Sequence, residues 1–366
     1  MLAPAPPAQH AGAVLPRRVE GDRSRMARLA IALLAVLLAA TALFSLSSGA
    51  SNASLAAVAA DWFHGGESTL SQRDRIVIYD IRLPRMAMGV MVGAALAVAG
   101  AVLQGLFRNP LADPGIIGVS SGAGLGAVSM IVLGGTVLAP ATLALGIYAL
   151  PVAAFAGALA TVLVLYGIAT RQGRTSVATM LLAGIALGAM AGAFTGVLVF
   201  MADDRQLRDL VFWQLGSLAG ATWTKIGGAG PIIALALLAT PFLARGLNAF
   251  ALGEATANHL GIPVQRFKYM AILAATAATG AAVAVSGGIG FIGIVVPHLL
   301  RLSIGPDHRY LLPASALLGA ILLLLADAVA RTVVAPAELP IGIVTAAAGA
   351  PFFLWILLRK RSVIDL

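Results

Sequence analysis

Asp327 and Arg331 are ionisable residues that lie inside an otherwise apolar stretch of the sequence. They are four positions apart, so on a helix they share one face and can form an ion pair. A carboxylate in such a place can bind a proton or a coupling ion, as an ion-driven transporter requires. It can equally form a structural pair with the arginine, and the sequence leaves both interpretations open.

Arg82 and Arg85 form a second charged set, three positions apart and on either side of Leu83 and Pro84. The spacing puts both guanidinium groups on one helix face, at the start of an apolar run. Arginines in this position anchor a helix among lipid headgroups, or they bind an acidic partner or an anionic substrate. Both interpretations remain open at this point.

The composition and the motifs missing from the sequence exclude cysteine-based sites and several common catalytic sites. The chain has no cysteine, which excludes disulfides, zinc–thiolate sites and iron–sulfur clusters. The sequence contains no glycine-rich phosphate-binding loop with a lysine, so we expect the chain to carry no ATP site of its own. It also contains neither a His-Glu-x-x-His zinc motif nor a Gly-x-Ser-x-Gly nucleophile turn. We therefore predict that the chain is not an enzyme and holds no metal and no permanently bound cofactor.

Residues 252–261 form a short polar segment that is a candidate docking surface. Gly253 and Gly261 bound it, and Pro263 prevents the helix from continuing. The segment is too polar to cross a membrane, and a compact capped helix favours docking of a partner over the alternative of a simple linker. The residues assigned to this site are Leu252, Gly253, Glu254, Ala255, His259, Leu260 and Gly261.

The elements that position these residues are membrane-spanning helices. The 366 residues are 60% hydrophobic and only 11% charged, whereas a typical soluble domain has about 25% charged residues. At about 20 residues per crossing, we predict an all-α polytopic membrane protein with about ten transmembrane helices in a compact bundle. The predicted spans are 26–46, 84–106, 117–135, 143–169, 176–202, 228–243, 267–285, 291–304, 311–334 and 340–358.

The basic residues predict the orientation of the chain. We expect residues 1–25 to be a cytoplasmic tail and 26–366 to be a single transmembrane domain with ten crossings, so that both termini are cytoplasmic. Sixteen of the 24 lysines and arginines then lie on the cytoplasmic side, as the positive-inside rule requires. The net charge of +9 therefore reflects topology, and we expect contact with membrane lipid and no nucleic-acid partner.

Four glycines recur every four residues on the fifth predicted span. Such a smooth face allows close helix packing, or it lines a translocation path. Glycine-rich stretches at 115–126 and 287–293 are also compatible with an inverted repeat. The four glycines are Gly184, Gly188, Gly192 and Gly196.

Several short sequence motifs are distributed along the chain. They are Arg-Leu-Pro-Arg at 82–85, Asn-Pro-Leu-Ala-Asp-Pro-Gly at 109–115, Ala-Leu-Gly-Glu at 251–254, Gly-Ile-Gly-Phe-Ile-Gly at 288–293, Pro-His at 297–298, and residues 325–331 and 338–342. In these motifs the chain resembles the FecCD-type permeases, the membrane subunits of ABC importers for iron-siderophores, haem and cobalamin. The resemblance implies a homodimer in the bacterial inner membrane, with a pathway between the subunits. It also implies two cytoplasmic ATPase subunits and a periplasmic binding protein.

The resemblance implies roles for the sites described above. Arg82, Arg85 and Arg331 match arginines that face acidic residues of the binding protein, and the helix around Glu254 matches the element that couples the ATPase to the permease. The cytoplasmic gate of the family lies just before the fifth span. The matching residues are Ser176, Val177, Ala178 and Thr179. The cobalamin member of the family has a polar Thr-Ser pair at the positions of Val177 and Ala178. This chain therefore departs from the polar gate of that member.

Residues 200–218 resemble the haem branch of the family. Phe212 and Trp213 offer apolar surface for a porphyrin face, and Arg205 and Arg208 are available to its propionates. The alternative is an interfacial helix with these aromatic rings at the headgroup level. The predicted pathway includes Gly184, Gly188, Gly192, Met201, Arg205 and Arg208, together with Met180 and Met190. We predict haem as the transported substrate, with a ferric siderophore or cobalamin as the alternatives within the family and an ion-coupled secondary transporter as the alternative outside it.

Overall fold

The computed structural model describes residues 23–47, 71–115, 117–171 and 174–359. These residues form helices, which are α-helical except for a π-helical stretch at Ile76–Arg82 and a 3-10 turn at Gly146–Tyr148, and one short antiparallel hairpin. The elements are α1 (Ser24–Ser47), α2 (Gln72–Phe107), α3 (Val119–Leu133), α4 (Ala139–Ala169), β1 (Thr170–Arg171), β2 (Arg174–Thr175), α5 (Val177–Met201), α6 (Asp204–Leu215), α7 (Trp223–Ala251), α8 (Glu254–His259), α9 (Val264–Ser286), α10 (Ile292–Ile304), α11 (His308–Thr332) and α12 (Ile341–Arg359).

Each predicted span overlaps a helix, and the polytopic all-α fold is confirmed. Seven helices among the described residues are long and apolar enough to cross a membrane: α1, α2, α4, α5, α7, α9 and α11. The shorter apolar helices are α3, α10 and α12. The eighth span, expected to be short, is α10 with 13 residues, or about 20 Å at 1.5 Å per residue. This is less than the roughly 30 Å hydrocarbon core, so α10 alone does not cross it.

The two shortest of these helices, α3 and α10, follow the glycine-rich stretches noted in the sequence. Gly118 precedes α3 with a φ of 81°, and Gly287, with a φ of 71°, begins the non-helical segment before α10. Glycine adopts these left-handed conformations without a steric cost. Each half of the chain therefore has a glycine of this kind before a short apolar helix, and the inverted repeat stays a prediction.

Glycine also brings α2 close to its neighbours. This helix is the most buried of the long spans and packs against α7, α9, α10 and α11. A Cβ atom at Gly93 would overlap the carbonyl oxygen of Gly319 on α11, and one at Gly100 would overlap that of Gly293 on α10. Small residues at helix crossings allow backbones to approach in this way, so the packing interpretation applies to these glycines.

Arg171 and Arg208 offer a test of the predicted orientation, because both are exposed and they lie beyond opposite ends of α5. We expect an impermeant maleimide added to intact cells to label Arg208→Cys and to leave Arg171→Cys unlabelled. The chain has no cysteine of its own, so background labelling is absent. The reverse pattern would contradict the orientation. Residues 1–22 and 360–366, which contain both termini, lie outside the described residues, and their cytoplasmic location stays a prediction.

Candidate functional site

A buried ionic network lies at the end of the bundle where α2 begins. Arg85 donates from Nε and Nη2 to both carboxylate oxygens of Asp327 on α11, at 2.9–3.1 Å. Its Nη1 and Nη2 also donate to the carboxylate oxygens of Glu338, each at 2.9 Å. The side chains of Arg85 and Asp327 are only 9% and 1% exposed. Buried charges need such partners, so the two groups compensate each other.

Arg331 and Arg82 extend this network to α1. The Nε atom of Arg331 lies 3.1 Å from the carboxylate of Asp327, which confirms the ion pair predicted from the four-residue spacing. Its Nη2 donates to the hydroxyl of Ser45 at 3.3 Å, and Nη1 of Arg82 donates to the carbonyl of Leu46 at 2.7 Å. The network therefore joins α1, α2 and α11 to the segment that precedes α12.

The predicted docking role needs Arg82, Arg85 and Arg331 at the surface. In the chain, Arg82 and Arg85 are instead 6% and 7% exposed, because carboxylates and carbonyls of neighbouring helices bind them. To reach Arg85 or Arg331, an acidic partner would have to displace Asp327 or Glu338, and the docking role stays a prediction. Since two arginines bind the buried Asp327 carboxylate, the geometry favours a structural pair over a coupling-ion site.

The polar segment between α7 and α9 folds into the short helix expected there, α8 (Glu254–His259). Gly253 precedes it with a φ of 104° and Gly261 follows it with a φ of 80°. Only glycine adopts such conformations readily. Leu252 and Leu260 flank the helix and are 67% and 55% exposed. An exposed apolar pair beside a capped helix suits a docking surface, which no further observation tests.

Lys268, at the start of α9, is a functional candidate that the sequence interpretation missed. Its Nζ lies 2.7 Å from Oε1 of Glu254 and donates to the carbonyl of Thr175 at 2.8 Å. The side chain is only 3% exposed. A lysine inside the predicted span 267–285 was the available signal, because a charge there requires a partner. The sequence could not show that the carbonyl of Thr175 is a partner of Lys268, because Thr175 is 93 positions away in the chain.

The predicted gate residues begin α5, directly after Thr175. Ser176 caps the helix by accepting a hydrogen bond from the Thr179 N–H at 3.3 Å. Val177 packs partly against the core, whereas Ala178 is exposed. Lys268 thus brings the predicted coupling and gate residues into one connected region.

Most of the glycine face of α5 borders open space within the described part of the chain. A Cβ atom at Gly192 or Gly196 would meet nothing within 4 Å, and one at Gly188 would meet only Ser121 at 3.4 Å. Packing within one subunit therefore does not explain this face, although Gly184 is buried.

Two of the three methionines assigned to the pathway are exposed. Met190 and Met201 are 51% and 61% exposed, whereas Met180 is 1% exposed within the core. The assignment of Met180 to the pathway was wrong, because it lies on the side of α5 that faces the bundle.

Arg205 and Arg208 are exposed on α6, as a role at the surface requires. A capping box formed by Asp203 and Gln206 begins this helix. Gln206 also donates to the carbonyl of Val132 at the end of α3. The helix therefore rests on the C-terminal ends of α3 and α5, at the opposite end of α5 from the predicted gate.

Asp307 connects two helices near the end of α7 that leads into α8. It caps α11 and accepts a hydrogen bond from Asn248 at 2.7 Å. Burial raises the pKa of Asp307, but hydrogen bonds from Arg309 and Asn248 outweigh this and hold the pKa at about 2. The carboxylate is therefore ionised at neutral pH and keeps α7 and α11 joined.

The side chains that could bind a metal ion lie apart from one another in the described residues. Within residues 23–47, 71–115, 117–171 and 174–359, no three His, Cys, Asp or Glu side chains group so that they could hold a metal ion. The expectation that the chain holds no permanent cofactor stays a prediction. The ionic network and the predicted coupling and gate residues lie at opposite ends of the bundle.

Comparisons with known proteins agree with this geometry. The chain is 49% identical over 283 residues to the hemin transport system permease protein HmuU of Yersinia pestis, which covers 77% of this chain and 83% of the relative. It is 46% identical over 289 residues to the cobalamin import system permease protein BtuC of Halobacterium salinarum, covering 79% and 75%.

A solved structure described as a metal-chelate type ABC transporter in an inward-facing conformation has the same fold. It matches with a TM-score of 0.78 and 32% identity, over 91% of this chain and 99% of that one. The family model of the FecCD transport family matches residues 37–359, which is nearly the whole chain. The chain belongs to the FecCD transport family, as a membrane-spanning permease of the ABC importer type that is not itself an enzyme.

Proposed function

We propose that the chain is the permease subunit through which an ATP-driven importer moves haem from a periplasmic binding protein into the cytoplasm. The observation that supports haem most directly is the 49% identity to a hemin permease over 283 residues. The exposed Arg205 and Arg208 on α6 add positive charge beside an apolar surface. We place the chain in the bacterial inner membrane with both termini in the cytoplasm.

Two copies of the chain would form the path. Among the described residues, Gly188, Gly192 and Gly196 line a face of α5 with open space beside it, and Phe194 and Phe200 on the same helix are 55% and 92% exposed. A wide, smooth wall with few fixed polar groups suits a flat apolar cargo, because weak contacts allow passage. A homodimer that faces α5 against α5 would enclose such a wall.

ATP hydrolysis would take place in two cytoplasmic subunits that dock on α8. The exposed Leu252 and Leu260 offer apolar anchors on that surface, and Ala255 and His259 are exposed between them. The gate at 176–179 would open when these subunits change nucleotide state. The arginines near α1 remain candidates for contact with the binding protein if the network opens.

The haem assignment predicts a specific defect. Replacing Arg205 and Arg208 together by Gln should slow haem uptake by about two- to thirtyfold, because each of the two exposed charge pairs with a propionate contributes roughly 0.2–1 kcal/mol. Uptake would be measured in proteoliposomes with the binding protein and the ATPase. Arg73→Gln with Arg75→Gln is the matched control, since these arginines are also exposed and lie outside α6. An equal defect in both double variants would contradict a role for α6.

Cobalamin is the second candidate substrate, because a cobalamin permease is 46% identical over 289 residues. The same proteoliposomes, offered haem, cobalamin and a ferric siderophore in competition, distinguish the candidates. ATP without an ion gradient should support uptake. Transport of cobalamin or a siderophore with haem left behind would overturn the haem assignment and preserve the family. Uptake that needs an ion gradient and no ATP would overturn the importer.

A further inference from the structure

Thr175 is held by two side chains of α9. Its N–H donates to Oε1 of Gln265 at 3.0 Å, and its carbonyl accepts a hydrogen bond from Nζ of Lys268 at 2.8 Å. Thr175 itself is 5% exposed. Both backbone polar atoms of Thr175 therefore bind the first two turns of α9, and any displacement of α9 acts directly on the residue before the gate.

The start of α9 is in turn fixed to the end of α7. The ring of Phe267 lies against Gly246, where a Cβ atom would overlap it. The same ring packs on that of Phe250, with centroids 5.0 Å apart. Phe250 and Phe267 are 0% and 5% exposed. Because close-packed interiors transmit displacement, the end of α7, α8 and the start of α9 behave as one body.

The hairpin joins Thr175 to the start of α5. The hydroxyls of Thr170 and Thr175 lie 2.9 Å apart, and the N–H of Ser176 donates to the carbonyl of Ala169 at 3.0 Å. Thr175 therefore cannot move without displacing Ser176, which caps the helix that contains the predicted gate.

We propose that Lys268 is the positioning residue that transmits the displacement of α8 to the gate, a role that rests on the function proposed above. Glu254 is the partner on α8, and its side chain is 42% exposed, so a subunit docked there reaches it. Removing the ionic partner of a buried ammonium group strongly destabilises a protein. When α8 moves, Lys268 therefore follows Glu254 and displaces the carbonyl of Thr175 with it.

The test uses the complete transporter in proteoliposomes and compares Lys268→Met with the wild type. Methionine keeps the length of the side chain and removes its charge and donors. Lys225→Met is the matched control, because Lys225 also donates to a backbone carbonyl, that of Gly220 at 2.8 Å, at the other end of α7. Two quantities are measured: haem taken up per ATP hydrolysed, and the rate at which Ala178→Cys is labelled with and without nucleotide.

We expect Lys268→Met to lower uptake per ATP by about fivefold or more, the lower range of a typical coupling between two sites. It should also remove the dependence of Ala178→Cys labelling on nucleotide. Lys268→Arg keeps the charge and the donors and should restore both quantities, which a purely structural defect at this site would not predict. Lys225→Met should behave as the wild type.

Glu254→Gln keeps the test valid if Lys268→Met does not assemble, because it alters only the partly exposed partner. Like Lys268→Met, it should lower the haem taken up per ATP hydrolysed and reduce the dependence of Ala178→Cys labelling on nucleotide. Wild-type values in Lys268→Met, or in Glu254→Gln where the first variant fails, would overturn this inference while leaving ATP-driven uptake intact. A wild-type chain that shows no ATP-driven uptake would overturn the proposed function and this inference together.

Discussion

Replacing Asp327 by Asn is expected to destabilise the protein by about 3–5 kcal/mol, the usual cost of removing one partner from a buried ion pair. Asp327 is fully buried and binds both Arg85 and Arg331. An amide cannot neutralise either guanidinium, so the variant keeps two cations in an apolar setting. The thermal-unfolding midpoint of the purified protein in detergent should fall clearly below that of the wild type.

Two further variants test whether the loss of the ion pairs causes the destabilisation of Asp327→Asn. Glu338→Gln removes the other carboxylate bound to Arg85, but its side chain is 39% exposed, so we expect a smaller loss because water replaces part of the interaction. Asp327→Leu combined with Arg331→Met removes the partners together and should recover part of the stability. An unchanged midpoint in Asp327→Asn would show that the arginines do not depend on this carboxylate. A stable double variant that keeps ATP-driven uptake would support the structural interpretation of Asp327.

Replacing Gly100 by Ala is expected to cost about 3 kcal/mol or more, the upper range for overpacking a core. The added methyl group would overlap the carbonyl of Gly293 and lie 2.7 Å from its Cα. Both positions are backbone, and no side chain can move aside, so α2 and α10 must separate. The change should lower the unfolding midpoint and the yield of folded protein.

Gly192→Ala on α5 is the matched control for the same chemical change. Among the described residues, a Cβ atom there would meet nothing within 4 Å, and alanine favours a helix over glycine by about 1 kcal/mol. We therefore expect an unchanged or slightly higher midpoint for the isolated subunit. Equal losses in Gly100→Ala and Gly192→Ala would contradict the close crossing of α2 and α10.

The sequence by itself determined the features that depend on near neighbours along the chain. Apolar runs located the helices, and the short α10 was visible as a short run. Gly253, Gly261 and Pro263 bounded α8, because turn and cap conformations are set by a few adjacent residues. The four-residue spacing of Asp327 and Arg331 likewise predicted their pair, since a helix places such residues one turn apart.

Only the tertiary structure decided which distant groups meet. Arg85 lies 242 positions from Asp327, and Lys268 lies 93 from Thr175, so no local pattern relates them. The glycines illustrate the same limit: Gly100 and Gly192 are chemically identical, yet one lies against a backbone and the other beside open space. A glycine permits close approach but does not specify what approaches, because the crossing of two helices depends on the packing of the whole bundle.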